Sequence, residues 1–399
     1  MPVQKQLVLR KDQERRLKAG HCWIYSNEVD VAQTPLAAFT PGEIAAIHSR
    51  SGQWLGWGYV NPHTLICARL VSTSRSVVPG REMFIARIRS ALRLRERLYA
   101  DPFYRLLFGE GDGVPGLVVD RYGDILVVQI TTAGMECLRD DILDALNEVV
   151  QPAGILLRND VSMRKVEQLD TTVEVATGSV PDFLSIREGG IDFQVAAMNS
   201  QKTGWFFDQS ANRDRLLKYV TGRRMLDVFS YAGGWGVRAA AAGAAAVTCV
   251  DSSESALSAA IDNAARNGVS EKLKTVQGDA FEVLKNLAGE DARFDVIVLD
   301  PPAFIKRRKD DKVGQKAYQR LNQQALELLE PDGVLVTASC SFHLARDEFL
   351  RIVQRSGRGA GVQLQLLEEG RQGADHPQHP AIAETGYLKA FYLRSVEKF

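Results

Sequence analysis

The sequence predicts an α/β protein: a doubly wound, mostly parallel sheet in the C-terminal half, preceded by a small β-barrel domain and a central α+β domain. Three observations support this fold class. From about residue 185, apolar strand-like runs alternate with helical segments. Residues 1–73 carry short strand-like runs separated by Gly and Pro turns. Residues 74–184 combine amphipathic helices with a turn-rich hairpin. We therefore predict domains at 1–73, 74–184 and 185–399.

The individual elements follow in chain order. In the first domain the predicted strands are LVLR, HCWIYS, EIAAIHS, WLGWGYV and TLICARLVS. In the second, helices are predicted over about 84–99 and 135–149, with the hairpin LVVDRYGDILVVQI between them and the strands GILLRND and VEVATG after them. In the third, helices near 208–220, 239–246, 254–267 and 314–329 separate the strands RMLDVFS, AVTCVDSS, LKTVQGDA, FDVIVLD and GVLVTASCS.

Composition excludes several classes of protein. Of the 399 residues, 45% are hydrophobic and 25% charged, as in ordinary globular proteins. Lys+Arg and Asp+Glu both number 49, which argues against a nucleic-acid binder that depends on a charged tail. There is no apolar leader and no run near the roughly 18 residues of a membrane span. The five cysteines are scattered, and His376 and His379 have no matching ligands, so we expect a cytoplasmic protein without disulfides, membrane contact or metal.

Three strand ends carry the features of a nucleotide-like cofactor site. The run MLDVFSYAGGWG joins an apolar strand to a helix through a Gly-rich turn, which lets a ligand approach the backbone and the helix N-terminus. Asp251 ends the next strand, where an acid commonly accepts hydrogen bonds from a ribose diol. Asp279, in QGDAFE, suits a contact with an adenine amino group. For Asp251 and Asp279, capping of the following helix is the alternative, and Ser252 and Ser253 are equally able to cap the helix after Asp251.

The run FDVIVLDPPAF places a carboxylate at a strand end. Asp300 closes the apolar run, and Pro301 and Pro302 prevent the strand from continuing. Phe304 offers a flat surface on which a base can stack. A tight turn with a core phenylalanine is the alternative interpretation.

These motifs together resemble those of a known family. DVFSYAGGWG, VDSS, GDAF and LDPPAF resemble class I S-adenosylmethionine-dependent methyltransferases, and QKTGWFFDQSANR with PPAF and SCSFH resembles the bacterial ribosomal RNA large-subunit methyltransferase I family, which is similar to RNA cytosine-C5 methyltransferases. GHCWIYSNEV and WLGWGYVNP resemble that family's N-terminal PUA domain. The resemblance implies S-adenosylmethionine as cofactor and 23S ribosomal RNA as partner. The implied cofactor-binding residues are Gln201, Lys202, Thr203, Gly204, Phe229, Ser230, Tyr231, Gly233, Gly234, Asp251, Ser252, Asp279 and Ala280.

Cys340 is the predicted nucleophile. It follows the strand GVLVTAS, which should lie beside the strand that ends at Asp300. Buried cysteines are usually inert small hydrophobes, but Cys340 lies at a strand end between two serines. C5 of cytosine is a poor nucleophile, and thiolate attack at C6 activates it. Asp300 is placed to hydrogen-bond the base and to supply a proton. The family resemblance supports both roles.

Contacts with RNA are less specific in the sequence. Basic residues that could follow phosphates are Arg89 and Arg93 on one helix face, and Lys306, Arg307 and Arg308 after Phe304. Solvated basic faces are the alternative. Two other functions stay open: an N-methyltransferase acting on an exocyclic amine of RNA, in which Cys340 is dispensable, and a non-catalytic RNA-binding protein. The sequence does not distinguish a monomer from a homodimer.

Overall fold

The structure of the protein is a computed structural model that describes residues 5–198 and 203–396. Two compact units divide the chain. The first comprises Met1–Leu184, Ala196–Phe207 and Ala374–Thr385, and the second comprises Ser185–Val195, Asp208–Gly373 and Gly386–Phe399. The domain boundaries inferred from the sequence, near 73 and 184, stay a prediction. None of the described helices is both long enough and apolar enough to cross a membrane.

The first unit begins with a five-stranded sheet. Its elements are β1 (Gln6–Val8), α1 (Arg15–Lys18), β2 (Trp23–Tyr25), β3 (Glu43–His48), β4 (Trp54–Val60) and β5 (Ile66–Ser72). The strand order is β1-β3-β4-β5-β2, with β1 parallel to β3 and the other pairs antiparallel. Its apolar residues, including Leu7, Ile24 and Ile47, are buried in one cluster. All five predicted strands are present.

A second five-stranded sheet follows in the same unit. Its elements are α2 (Arg81–Leu98), β6 (Phe103–Phe108), β7 (Leu117–Tyr122), β8 (Ile125–Ile130), α3 (Ala133–Cys137), α4 (Arg139–Val150), β9 (Gly154–Arg158), α5 (Met163–Val166) and β10 (Val173–Gly178). The strand order is β10-β9-β8-β7-β6. Strand β6 was not predicted, although it alternates buried and half-buried residues over most of its length.

The two sheets of the first unit share buried contacts. Tyr59 of β4 is 1% exposed, lies in the core cluster of the second sheet and donates its hydroxyl to the carbonyl of Pro115 at 2.7 Å. Arg69 of β5 forms a buried ion pair of 2.9 Å with Glu167. Removing residues 1–73 would therefore delete the partner of Glu167 and expose the apolar surface on which Tyr59 packs, which is destabilising.

The second unit contains the doubly wound sheet. Its elements, with the hairpin that precedes them, are β11 (Phe183–Glu188), β12 (Ile191–Ala196), α6 (Ser210–Leu216), β13 (Arg224–Val228), α7 (Gly234–Ala241), β14 (Ala246–Asp251), α8 (Glu254–Arg266), β15 (Leu273–Gln277), α9 (Ala280–Gly289), β16 (Phe294–Leu299), α10 (Asp311–Glu327), β17 (Leu329–Ser339), α11 (Arg346–Gly359), β18 (Gln363–Gly370) and β19 (Lys389–Val396). The strand order is β15-β14-β13-β16-β17-β19-β18. The first five strands run parallel, and β19 is antiparallel to both of its neighbours. The predicted sheet is confirmed.

Two helices of the second unit differ most from their predicted bounds. The Ala-rich helix, predicted over 239–246, spans Gly234–Ala241, because Gly243 adopts a φ of +96° and Ala246 already begins β14. A left-handed residue after the last turn ends a helix. The helix predicted over 208–220 is α-helical only over Ser210–Leu216 and is flanked by 3₁₀ turns. Neither change moves a strand end.

The topology brings the predicted site residues to one edge of the sheet. Parallel strands end at the same edge, and ligands of doubly wound folds bind there. Asp251 is the last residue of β14, Asp300 follows β16, and Cys340 follows β17. Strands β16 and β17 are direct neighbours, with Leu299 paired to Thr337. The expected adjacency of the strands that end at Asp300 and Cys340 is therefore confirmed.

Candidate active site

The loop after β13 has an unusual backbone. Phe229 and Tyr231 have φ values of 68° and 47°, and Gly233, which precedes α7, has 82°. Residues other than glycine rarely adopt positive φ, and such conformations persist where surrounding contacts fix them. Here the N–H groups of Phe229 and Ser230 both donate to the carbonyl of Val250, at 2.9 and 3.0 Å. The loop therefore presents a fixed backbone next to the start of α7.

Asp251 links this loop to the next strand. Its Oδ2 accepts a hydrogen bond from the Tyr231 N–H at 3.0 Å, and its Oδ1 accepts one from the Ser253 N–H at 2.9 Å. The cap of α8 is Ser253, whose hydroxyl oxygen accepts from the Ala256 N–H at 3.3 Å. Asp251 is therefore not the cap of α8, and Ser253 takes that role. Ser252 is exposed. A carboxylate has about four lone-pair sites, so Asp251 retains acceptor capacity for a diol.

Asp279 caps a helix. Its Oδ1 accepts from the N–H groups of Phe281 and Glu282, at 3.0 and 3.3 Å, and the residue is exposed at the N-terminus of α9. The alternative interpretation of Asp279, as the cap of the following helix, is therefore confirmed. Its Oδ2 does not take part in those bonds, so an additional contact with an adenine stays a prediction. Ala280, the first residue of α9, is buried.

Asp227 is a buried acid that the sequence did not single out as a site residue. It lies in β13, and its Oδ2 accepts from the Gly236 N–H at 2.9 Å. Burial, with smaller contributions from the carboxylates of Asp300 and Asp251, raises the pKa of Asp227 to about 8, while the hydrogen bond from the Gly236 N–H opposes the rise. Asp227 is therefore largely protonated at neutral pH. Burial and the neighbouring Asp227 also raise the pKa of the Cys249 thiol, so this buried cysteine stays a neutral thiol.

Asp300 is held by two side chains from distant elements. The Gln209 Nε2 donates to Oδ1 at 2.8 Å, and the Trp235 Nε1 donates to Oδ2 at 3.0 Å. Burial raises the pKa of Asp300 to about 6, while these two donors favour the charged form and limit the rise. The result is a fixed carboxyl group that titrates close to neutral pH. Neither donor was predicted as a site residue, although both lie inside the motifs QKTGWFFDQSANR and DVFSYAGGWG.

The turn after β17 places Cys340 against the Asp-Pro-Pro segment. The Cys340 Sγ lies 4.0 Å from the carbonyl oxygen of Pro301. The hydroxyl oxygen of Ser341 accepts from the Ile305 N–H at 3.2 Å. The Tyr318 hydroxyl lies 2.9 Å from the Ser339 hydroxyl and 3.0 Å from that of Ser341. Both serines are buried and Cys340 is half-buried, so the flanking hydroxyls anchor the turn in the protein.

The segment after Asp300 combines a packed aromatic with exposed cations. Phe304 is half-buried, with its ring centroid 4.7 Å from that of Tyr318 and 6.2 Å from that of Phe281. Pro301 is buried and Pro302 is exposed. The predicted RNA contacts that follow are all exposed: Lys306, Arg307 and Arg308. Phe304 therefore packs against other aromatic rings, as the alternative interpretation expected. Part of its ring is exposed, and stacking of a base on that part stays a prediction.

The predicted RNA contacts on α2, Arg89 and Arg93, are only partly free to bind a phosphate. Arg89 pairs with Glu148 of α4 at 2.9 Å, and Arg93 is exposed. Arg95, two residues after Arg93, is fully buried and pairs with Asp112. Because Arg89 is already paired with Glu148, its guanidinium would bind a phosphate less strongly.

The remaining predicted residues fall at the edge of the described chain. Gln201 and Lys202 lie outside the described residues. Thr203 is buried, and its carbonyl accepts from the Tyr122 hydroxyl at 3.0 Å. Gly204 has a φ of +117°, which favours glycine. Within residues 5–198 and 203–396, no group of three or more His, Cys, Asp or Glu side chains could hold a metal ion.

Comparisons with known proteins agree with this geometry. The family of PUA-like domains matches residues 7–73, and the family of S-adenosylmethionine-dependent methyltransferases matches residues 135–394. The protein named ribosomal RNA large subunit methyltransferase I of Erwinia tasmaniensis is 34% identical over 395 residues, which covers 98% of this chain and 99% of that protein. Its namesake from Klebsiella pneumoniae strain 342 is 36% identical over 394 residues, covering 97% and 98%.

Solved structures extend the comparison to the fold. A proposed S-adenosylmethionine-dependent methyltransferase from Streptococcus mutans superposes with a TM-score of 0.82 at 22% identity, over 98% of this chain and all of that one. A proposed methyltransferase solved in complex with S-adenosylhomocysteine gives 0.83 at 22% identity and the same coverage. The Methanocaldococcus jannaschii tRNA m1G37 methyltransferase gives 0.54 at 16% identity, over 79% of each chain. The N-terminal PUA-like domain and the C-terminal class I methyltransferase fold predicted from the sequence are confirmed.

Proposed function

The chain belongs to the ribosomal RNA large subunit methyltransferase I family and is an S-adenosylmethionine-dependent rRNA methyltransferase, and from this premise we propose that it methylates C5 of a cytosine in 23S ribosomal RNA through a transient covalent bond to Cys340. We place this reaction in the cytoplasm, where ribosomes assemble. The PUA-like residues 7–73 contribute affinity for RNA, and the chemistry belongs to the second unit.

The observation that carries the proposal is the pairing of a thiol with a carboxyl group at adjacent strand ends. Cys340 lies 4.0 Å from the carbonyl of Pro301, the residue that follows Asp300. Methylation of a cytosine at C5 uses both groups. C5 becomes nucleophilic only after a thiolate has added to C6, and the carboxyl group stabilises the resulting adduct. The other described cysteines include two that are fully buried, Cys67 and Cys249. Neither can reach a base without a change in the fold.

The cofactor fits the edge formed by β13, β14 and β15. Asp251 has acceptor capacity for a ribose diol, and the loop at Phe229–Gly233 has a fixed left-handed backbone beside the N-terminus of α7. We assign Ser230, Tyr231, Gly233 and Gly234 to the same site, with Asp279 near the adenine. When bound, S-adenosylmethionine supplies an electrophilic methyl group. The residues of this chain hold it and orient the base toward it.

The steps assigned to the protein follow from these positions. The Cys340 thiolate forms a bond to C6 of the cytosine, and the electron pair of the C5–C6 double bond becomes available at C5. Asp300, held by Gln209 and Trp235, donates a proton toward N3 or hydrogen-bonds the exocyclic amine and stabilises this adduct. After C5 carries the methyl group, a base removes the C5 proton, the double bond reforms, the C6–S bond breaks, and any proton donated to N3 returns to Asp300. Cys340 is then free for another turnover.

Trapping with a fluorinated base tests the covalent step. The full-length protein is incubated with S-adenosylmethionine and rRNA that contains 5-fluorocytosine, and the products are separated under denaturing conditions. We expect a stable protein–RNA adduct, because fluorine cannot leave C5 as a proton does. The adduct requires S-adenosylmethionine and disappears in Cys340→Ala. The matched control is Cys137→Ala, which removes an exposed cysteine of the other unit and should trap as the parent does.

The competing reaction predicts the opposite pattern. An enzyme that methylates an exocyclic amine uses Asp300 and Phe304 to hold the amino group and has no need for a thiol. It would form no fluorocytosine adduct and would keep substantial activity in Cys340→Ala. Near-normal methylation by that variant would therefore exclude the C5 mechanism and assign the protein to the N-methyltransferase alternative. A protein that bound RNA but no S-adenosylmethionine would support the non-catalytic alternative.

A further inference from the structure

Lys389 is a half-buried lysine beside the Cys340 turn. It begins β19, and in the register of the sheet it lies opposite Ser339, the residue before Cys340. Its ammonium Nζ donates to the carbonyl oxygen of Ser341 at 2.6 Å and to that of Tyr387 at 2.9 Å. The first of these bonds holds the residue that immediately follows Cys340. Lys389 therefore holds the turn through a backbone carbonyl, in addition to the hydroxyl contacts that Tyr318 makes.

The charge of this lysine is coupled to the thiol. Burial lowers the pKa of Lys389 to about 8, and the one charged group that raises it, among the described residues, is the Cys340 thiolate. Electrostatic coupling between two groups is reciprocal, so the ammonium of Lys389 favours the thiolate of Cys340 to the same extent. Thiols beside a lysine become thiolates at lower pH. Because the thiolate is the nucleophile, this effect bears directly on the attack at C6.

Two other titratable groups near the turn, Tyr318 and Asp300, do not supply a positive charge. Tyr318 of α10 approaches through its hydroxyl, and burial raises the pKa of that phenol, so it stays neutral. Asp300, after β16, approaches from the neighbouring strand end and is an acid. Lys389 of β19, in contrast, brings a positive charge that is electrostatically coupled to Cys340.

We propose that Lys389 is a positioning residue for the reaction: its ammonium group stabilises the Cys340 thiolate and fixes the turn that carries it. This inference rests on the proposed role of Cys340 as nucleophile. Lys389 does not contact the base in this assignment and acts through Cys340 alone. Its effect appears in the step that forms the C6–S bond and leaves the binding of S-adenosylmethionine unchanged.

The test measures the thiol directly. The full-length protein is alkylated with iodoacetamide across pH 6–10, and the rate at Cys340 is read from its own peptide by mass spectrometry. We expect the midpoint for Cys340 to lie below the roughly 8.5 of an ordinary thiol and to rise by about one pH unit in Lys389→Met. Lys389→Arg keeps the charge and should retain most of the depression. Lys285→Met, at an exposed position on α9, is the matched control and should not move the midpoint.

Several results would overturn the inference. One is an unchanged midpoint in a Lys389→Met protein that still binds S-adenosylmethionine as the parent does. If that variant does not fold, the parent decides, because a Cys340 midpoint at or above that of the exposed Cys137 is incompatible with a stabilised thiolate. Turnover gives a second measurement: kcat should fall about tenfold in Lys389→Met with the KM for S-adenosylmethionine unchanged. Alkylation needs no RNA, so methylation that persists in Cys340→Ala contradicts the proposed function without altering this readout.

Discussion

The two halves of the sheet edge are built differently. At the ends of β13, β14 and β15, the carboxylates of Asp251 and Asp279 accept hydrogen bonds from backbone N–H groups, most of them within three residues along the chain. At the ends of β16 and β17, side chains from distant segments hold the reactive groups: Gln209 and Trp235 bind Asp300, and Lys389 holds the turn of Cys340.

This difference has consequences for substitution. A carboxylate bound by backbone donors keeps its position when other side chains change, so its loss should affect ligand binding or a local helix cap and not the groups that react. A carboxyl group or thiol fixed by side chains depends on each of those partners. Substitutions at the β16–β17 end should therefore change the rate and its pH dependence, whereas substitutions at the β14–β15 end should change cofactor affinity.

The largest effect is expected for Asp300→Asn. The amide keeps the shape of the carboxyl group but removes its proton site, so the adduct at C6 loses its stabilisation. We expect kcat to fall by about 10²–10⁴-fold, with the affinity for S-adenosylmethionine changed by less than about threefold. Single-turnover methylation and a separate cofactor titration measure the two quantities. A large loss of cofactor affinity with little loss of rate would contradict the division between the two ends of the sheet.

A smaller effect is expected for Asp251→Ala. Loss of charge-assisted hydrogen bonds should weaken S-adenosylmethionine binding by about 1.5–3 kcal/mol. The comparison variant is Asp279→Ala, which also removes a strand-end carboxylate but mainly uncaps α9, at a cost in stability of about 1 kcal/mol. Calorimetric titration of both variants compares them directly. Unchanged affinity in a folded Asp251→Ala protein would remove Asp251 from the cofactor site.

The buried acid of β13 makes stability depend on pH. The pKa of Asp227 is about 8 in the folded protein against an ordinary value near 3.8, so the folded state binds more protons than the unfolded state between these values. Stability therefore falls as pH rises through this window, by at most about 1.4 kcal/mol per pH unit. Asp227→Asn removes this contribution. Its free energy of unfolding, relative to the parent, should increase from pH 5 to pH 8, and denaturant titrations at both values measure it. A constant difference would show that Asp227 does not titrate in that range.

The smallest effect is expected for Trp235→Phe. The change deletes one donor to Asp300, and a donor favours the charged carboxylate, so the pKa of Asp300 should rise above 6 by somewhat less than about one unit, as expected for one hydrogen bond of about 1 kcal/mol. The limb of the kcat/KM profile that Asp300 sets should move to higher pH. Trp205→Phe, a buried tryptophan of the other unit, is the control and should leave that limb in place. A shift to lower pH would contradict the role of Trp235 as a donor.

Much of this molecule could be predicted from local sequence. The strands that carry the site are apolar runs that end in a polar residue, and each was predicted within a few residues of its observed bounds. The errors have local causes: β6 is a short run after a turn, and the alanines after Ala241 have high helix propensity but follow the point where Gly243 turns the chain. Local patterns also predicted which strand ends carry Asp251, Asp300 and Cys340.

By itself, the sequence determined the alternation of strands and helices, and with it the edge of the sheet at which the acids and the thiol meet. Only the tertiary structure decided which side chains hold them. Gln209 is separated from Asp300 by 91 positions, and Lys389 from Ser341 by 48. Hydrophobic periodicity is a local property and can be read from neighbouring residues. The ionisation of a buried group depends instead on charges and donors that approach it from any part of the chain, so the protonation of Asp227 and Asp300 and the partner of Cys340 follow only from the packed structure.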